Sequence, residues 1–110
     1  MSSLLDRQML EELREIMEDE FSVLMETFLS ESAKQYAAIN EALQQEDTDS
    51  LRRSAHSLKG SCGNIGAMGL QQQCAELEYA ARDARMAELP VLVQQVGSDL
   101  SVVCDEVSQL

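Results

Sequence analysis

The chain reads as all-α, an antiparallel up-down four-helix bundle with a short additional helix at its amino terminus. Three observations predict this class. Ala, Leu, Gln, Glu and Met, all strong helix formers, dominate the 110 residues. The sequence holds one proline. Apolar residues recur every three to four positions through five successive stretches. The length suits a single domain over 1–110 with a modest core. Aromatics make up only 4% of the chain and tryptophan is absent, so Leu, Val, Ile, Met and Ala must fill that core.

The first helix is expected over about 5–18, with Leu5, Met9, Leu13, Ile16 and Met17 inward. The second runs from about Glu20 to Gln45, with Phe21, Leu24, Met25, Phe28, Ser32, Tyr36, Ile39 and Leu43 on one side. The segment "QEDTD" (45–49) then supplies a turn, N-cap residues and acidic groups suited to a helix start. The third helix, about 49–65, carries Leu51, Ala55, Leu58, Cys62 and Ile65 as one stripe, and Gly66 stands where a left-handed C-cap is wanted. A fourth, about 68–85, turns Leu70, Cys74, Leu77 and Ala81 inward. Pro90 fits the first turn of the last helix, whose inward set is Leu89, Val93, Val96, Leu100, Val103, Val107 and Leu110. Short connections between long amphipathic helices make neighbours antiparallel, and the first helix is expected to cap one end.

The formal net charge of −12 argues against nucleic acid and anionic membranes as partners, because both need a basic footprint. The opening "MSSLLDRQML" lacks the basic region and apolar run of a secretion signal. No stretch approaches the roughly 20 apolar residues of a membrane span, so a cytoplasmic protein is expected. Cys62, Cys74 and Cys104 fall in apolar helical registers without CxxC spacing, which predicts reduced core thiols. One histidine with scattered cysteines is too few soft ligands for zinc.

The stretch "RRSAHSLKGSCGNIGAMG" (52–69) is the one that invites chemistry. It contains the only histidine, His56, and four of the five glycines. With the apolar stripe of the third helix set near zero, His56 falls at about 140°, Arg52 near 100°, Lys59 near 80°, Gly63 near 120°, Gly60 near 180° and Arg53 near 200°. The imidazole thus points away from the core in mid-helix, among three of the chain's eight cations. Those cations disfavour a charged ring and favour the neutral, nucleophilic one. They are also suited to receive a dianionic phosphoryl group. A mid-helix glycine costs about 0.5–1 kcal/mol relative to alanine. Two on the histidine's own face are expected to leave backbone bare for an approaching protein.

The segment "AHSLKGSCGNIGAMGLQQQCAELE" (55–78) resembles the signature of histidine-containing phosphotransfer (HPt) domains of bacterial phosphorelays. The shared elements are the His-x-x-Lys-Gly core, the helix-ending Gly66 and the Leu-Glu pair at 77–78. The five-helix reading extends the resemblance over nearly the whole chain, as one HPt domain spanning 1–110. The resemblance implies that His56 is the phosphoryl acceptor at Nε2 and that Lys59 stabilises the phosphoryl group. It implies that Gly60 leaves room for the partner, and that Glu78 accepts a hydrogen bond from the histidine's Nδ1–H. Gly63 is an additional glycine outside the pattern, and the run Gln71–Gln73 has no assigned role.

The function implied is reversible transfer of a phosphoryl group between receiver-domain aspartates of a hybrid sensor kinase and a response regulator. Arg52, Arg53, Gly60 and Gly63 are the expected docking residues, with a small apolar patch near the first two helices. "GSCGNIG" lacks the Lys-Ser/Thr ending of an ATP-binding phosphate loop, and no clustered acidic pocket for Mg²⁺ is evident. The expectation is a monomeric carrier with no kinase activity and no cofactor, its partner's receiver domain binding the Mg²⁺. A helical adaptor that is never phosphorylated is the alternative.

Overall fold

The computed structural model describes residues 4–110, so the first three residues of the amino-terminal stretch read above lie outside it. Five helices follow one another: α1 (Arg7–Met17), α2 (Glu20–Gln44), α3 (Thr48–Asn64), α4 (Met68–Arg82) and α5 (Leu89–Ser108). A 3-10 turn, Met86–Glu88, leads into α5, and no strand occurs among the described residues. Side chains tie each helix to its neighbour in sequence. Ser61 Oγ donates to Gln35 Oε1 across α2 and α3, and the Gln73 amide donates to Asp99 across α4 and α5. Tyr36 on α2 donates to the Val93 carbonyl (3.0 Å), closing the ring of helices. Gly97 leaves space for that ring, since a Cβ there would collide with the Tyr36 phenol.

The apolar stripes meet in one core. Leu51, Ala55, Leu58, Cys62 and Ile65 are at most 1% exposed, opposite Leu70, Cys74 and Leu77 of α4 and Val96 and Val103 of α5. Each fully buried Leu, Ile or Val contributes about 1.5–3 kcal/mol. Cys62 and Cys74 are buried, Cys104 is half-buried, and all three thiols are free. The neighbouring Cys74 thiol and then burial push Cys62 far above the ordinary thiol range, which leaves it protonated and inert.

α1 lies across the end of the bundle where α2 begins and α3 and α5 finish. Asp6 accepts from the Met9 amide as N-cap, its own amide donates to the Gly66 carbonyl (2.8 Å), and Arg7 pairs with Glu106 of α5 (2.6 Å). The inward face differs from the expected one. Leu10 is the buried residue of the helix, Leu5 is buried just ahead of it, and Ile16 is 77% exposed. Because Asp6 sets the start at Arg7, the stripe becomes Leu10, Leu13 and Met17, and Ile16 turns out of it. Leu110, expected inward, is likewise exposed, beyond the last turn of α5.

Chain reversals explain the other boundary differences. Gly66 adopts φ +76° as expected, with the Ala67 amide returning to the Cys62 carbonyl (2.9 Å). Three non-glycine residues do the same work elsewhere: Glu18, Glu46 and Ala84, at φ +52°, +55° and +53°. Ala84 ends α4 three residues before the expected boundary, and the Arg85 amide closes the turn on the Ala80 carbonyl (2.9 Å). Such a conformation costs an L-residue about 1–2 kcal/mol, which the packed helices must offset.

Candidate functional site

With its stripe committed to the core, α3 has no choice but to present His56 and Gly60 outward. The His56 side chain is 64% exposed. Its Nδ1 lies 3.0 Å from Glu78 Oε2 on α4. A carboxylate can only accept, so Nδ1 carries the hydrogen and Nε2 of the neutral ring holds the free lone pair, aimed at solvent. Glu78 reaches that position because Leu77 and Ala81 are buried beside it. α4, returning from the Gly66 turn, then sets the next side chain along the flank of α3.

The same carboxylate holds a second group. Lys59 Nζ lies 2.8 Å from Glu78 Oε1, and the contact is ionic rather than a well-aligned hydrogen bond. Glu78 is only 14% exposed. Burial alone would raise its pKa, but the Lys59 ammonium and the His56 N–H together outweigh that and hold it below the usual glutamate range. In return Glu78 raises Lys59 above its ordinary value. The sign fixes a pH dependence. Because the folded carboxyl titrates below the unfolded one, its stabilisation is complete above the ordinary glutamate pKa and is lost as pH falls through the folded value. Denaturant midpoints taken between about pH 7 and pH 3 should therefore fall more steeply for the wild type than for Glu78→Gln. Coincident curves would show that Glu78 adds nothing to the fold.

The two arginines stand apart from the imidazole. Both lean toward the amino terminus of α3, as helical side chains do, and both meet Asp49. Arg52 Nη2 is 3.1 Å from Oδ1 and Arg53 Nε is 3.3 Å from Oδ2. Arg53 also donates to Ser50 Oγ (3.1 Å). Every cation expected around His56 is thus matched to a carboxylate, and the ring is held by Glu78 rather than surrounded by free positive charge. Asp49 was legible at spacings of three and four from the arginines, the reach of neighbouring helical side chains.

The glycines also divide. A Cβ at Gly60 would meet nothing within 4 Å, so this backbone is open to an incoming surface. A Cβ at Gly63 would come within 3.0 Å of the Gln71 amide of α4. Gly63 is therefore covered, and a neighbouring helix explains it where an open face does not. Gln71 stands seven residues before Glu78 and Gly63 seven after His56, so the two contacts lie about two turns apart along one helix pair. Gln73, from the same run, serves α5 through Asp99, and Gln72 is exposed. Among the described residues no three His, Cys, Asp or Glu side chains are grouped to hold a metal ion. Nor is any helix long and apolar enough to cross a membrane.

The family model for the Hpt domain matches residues 23–110. The crystal structure of histidine-containing phosphotransfer protein B from Pseudomonas aeruginosa PAO1 superposes with a TM-score of 0.94 at 37% sequence identity, covering 99% of this chain and 95% of that one. The likeness therefore extends over α1, which precedes the residues matched by the family model. No curated protein sequence matches the chain.

Proposed function

This chain belongs to the Hpt domain family and serves histidine phosphotransfer in a phosphorelay, and from that premise we propose that His56 is its phosphoryl acceptor. Proteins of this family work with receiver domains. The observation that carries the residue assignment is an exposed imidazole fixed through Nδ1 by Glu78, with bare backbone at Gly60 one turn along.

In the proposed step the Nε2 lone pair attacks the phosphorus of a receiver's aspartyl phosphate. The N–P bond forms as the P–O bond to aspartate breaks, and the aspartate leaves as carboxylate. The Nδ1 hydrogen stays in place, so the phosphorylated ring is cationic until it deprotonates, and the ionised Glu78 balances that charge. Outward transfer reverses these changes. Lys59 turns from Glu78 Oε1 to the phosphoryl oxygens, where the ionic contact becomes a charge-assisted hydrogen bond. The partner's receiver domain supplies Mg²⁺, and this chain acts as a monomeric carrier with neither kinase activity nor a cofactor of its own. Docking uses Gly60 with Arg52 and Arg53 at its margin. The exposed apolar side chains Ile16 of α1 and Val23 of α2 supply the apolar patch.

The test is transfer from a phosphorylated receiver domain, read as an acid-labile, base-stable label. A wild-type chain that takes no label from any cognate receiver would overturn the carrier reading and leave the adaptor. Lys59→Ala should keep the fold yet slow transfer, or shorten the phosphohistidine lifetime, by about ten- to a hundredfold, the worth of a hydrogen bond to a charged group. An unchanged rate and lifetime would remove Lys59 from the step.

A further inference from the structure

Beside the imidazole face, on the α2 side of α3, runs a groove of about 410 Å³. Ala38 and Ala42 line it on α2, and Ser54 and Ser57 on α3. Glu41 and Asp47 stand on its walls with Arg53. The charges there are unequal. Arg53 pairs with Asp49 and donates to Ser50, and although its charge also reaches Asp47, neither Glu41 nor Asp47 forms an ion pair among the described residues. Glu41 receives only the Gln45 amide on Oε1 (2.7 Å). Asp47 accepts from the Ser50 amide and hydroxyl (3.0 and 2.7 Å), and those hydrogen bonds keep it ionised. Among the described residues the Ser54 and Ser57 hydroxyls have no hydrogen-bond partner.

We propose that this groove is a second point of contact for the receiver domain and takes a lysine or arginine side chain of that partner. The inference rests on the phosphotransfer reading and gives the docking face its specificity. Two features point to this occupant. The groove borders the reacting site, since Ser57 of its lining adjoins His56 in sequence and Arg53 stands about one turn before it on α3. Its small-residue lining admits a long side chain, while two carboxylates and two free hydroxyls accept from a cationic head. A receiver whose acidic phosphorylation pocket covers His56 and Lys59 then has one orientation that also places a cation here. Two contacts of opposite sign fix register where one would leave the partner free to rotate.

The test separates docking from chemistry. Phosphoramidate is small enough to phosphorylate an exposed histidine without docking, whereas a phosphorylated receiver must dock. With a receiver that transfers to the wild type, Glu41→Lys should raise KM about tenfold and Glu41→Gln about threefold, with kcat and the phosphoramidate rate unchanged. Exchanging the receiver's complementary Lys or Arg for Glu should restore transfer to Glu41→Lys. Unchanged KM in both variants, or a loss in kcat alone, would overturn the groove contact and leave His56 as acceptor. Failure of phosphoramidate to label the wild type would overturn the acceptor reading itself. Glu41 is exposed, so both variants are expected to fold.

Discussion

Replacing His56 with glutamine should abolish phosphoryl transfer completely while leaving the fold intact. The imidazole is 64% exposed and contributes one hydrogen bond, to Glu78. Its removal opens no cavity, and a surface change of this kind shifts stability by roughly 0.5 kcal/mol or less. Glutamine retains an N–H that can meet the Glu78 carboxylate but offers no nucleophilic nitrogen, so it isolates the chemistry from the packing. The expected result is a variant with wild-type circular dichroism and thermal midpoint and no label from receiver or phosphoramidate. Full labelling of that variant would place the acceptor elsewhere. No second histidine exists in the chain, so the phosphohistidine assignment would fall with it.

The second large effect is expected at Gly60, where function and stability should move in opposite directions. Gly60→Gln should raise stability by about 0.5–1 kcal/mol, because glycine is a poor helix residue and a Cβ here meets nothing within 4 Å. The same side chain would stand one turn from the imidazole, on the face proposed for docking. Transfer from a receiver should fall at least tenfold, while labelling by phosphoramidate continues. Gly63→Ala is the internal control. Its methyl group meets only the flexible end of Gln71, which can swing aside, so transfer should survive. A variant Gly60→Gln that gains stability and transfers normally would show that the bare backbone serves no partner.

The contrast between these glycines marks what the residue pattern can and cannot tell. On a helical wheel they share an outward face and look equivalent. The difference lies on α4, where Gln71 covers one and nothing covers the other. A wheel describes one helix in water, whereas exposure depends on what the neighbouring helix brings up. The arginines teach the same lesson. The sequence lists three cations near His56 and sets Asp49 within helical reach of the two arginines, but only the fold shows that Lys59 meets Glu78.

Helix ends divide in the same way. Gly66 announced its turn because glycine alone adopts positive φ without cost. Glu18, Glu46 and Ala84 adopt it too, and nothing local required them to. Their turns are chosen by the helices on either side, whose burial offsets the strain. For that reason the expected boundary of α4 overran by three residues. The first helix shows the opposite limit, since its short apolar pattern fits two registers, and the Asp6 cap with the Gly66 contact selects the one that buries Leu10.

By itself the sequence determined the all-α class, the inward stripes of the four long helices and the outward direction of His56, because a 3.6-residue period is a local property that any core must respect. Only the tertiary structure decided that Glu78 holds both Nδ1 of His56 and the ammonium of Lys59. The His56 contact spans 22 residues and depends on how closely α4 returns along α3. Periodicity sets the direction in which a side chain points. Distance between two helices is set by everything packed between them, and here that distance is what lets Glu78 orient an exposed histidine.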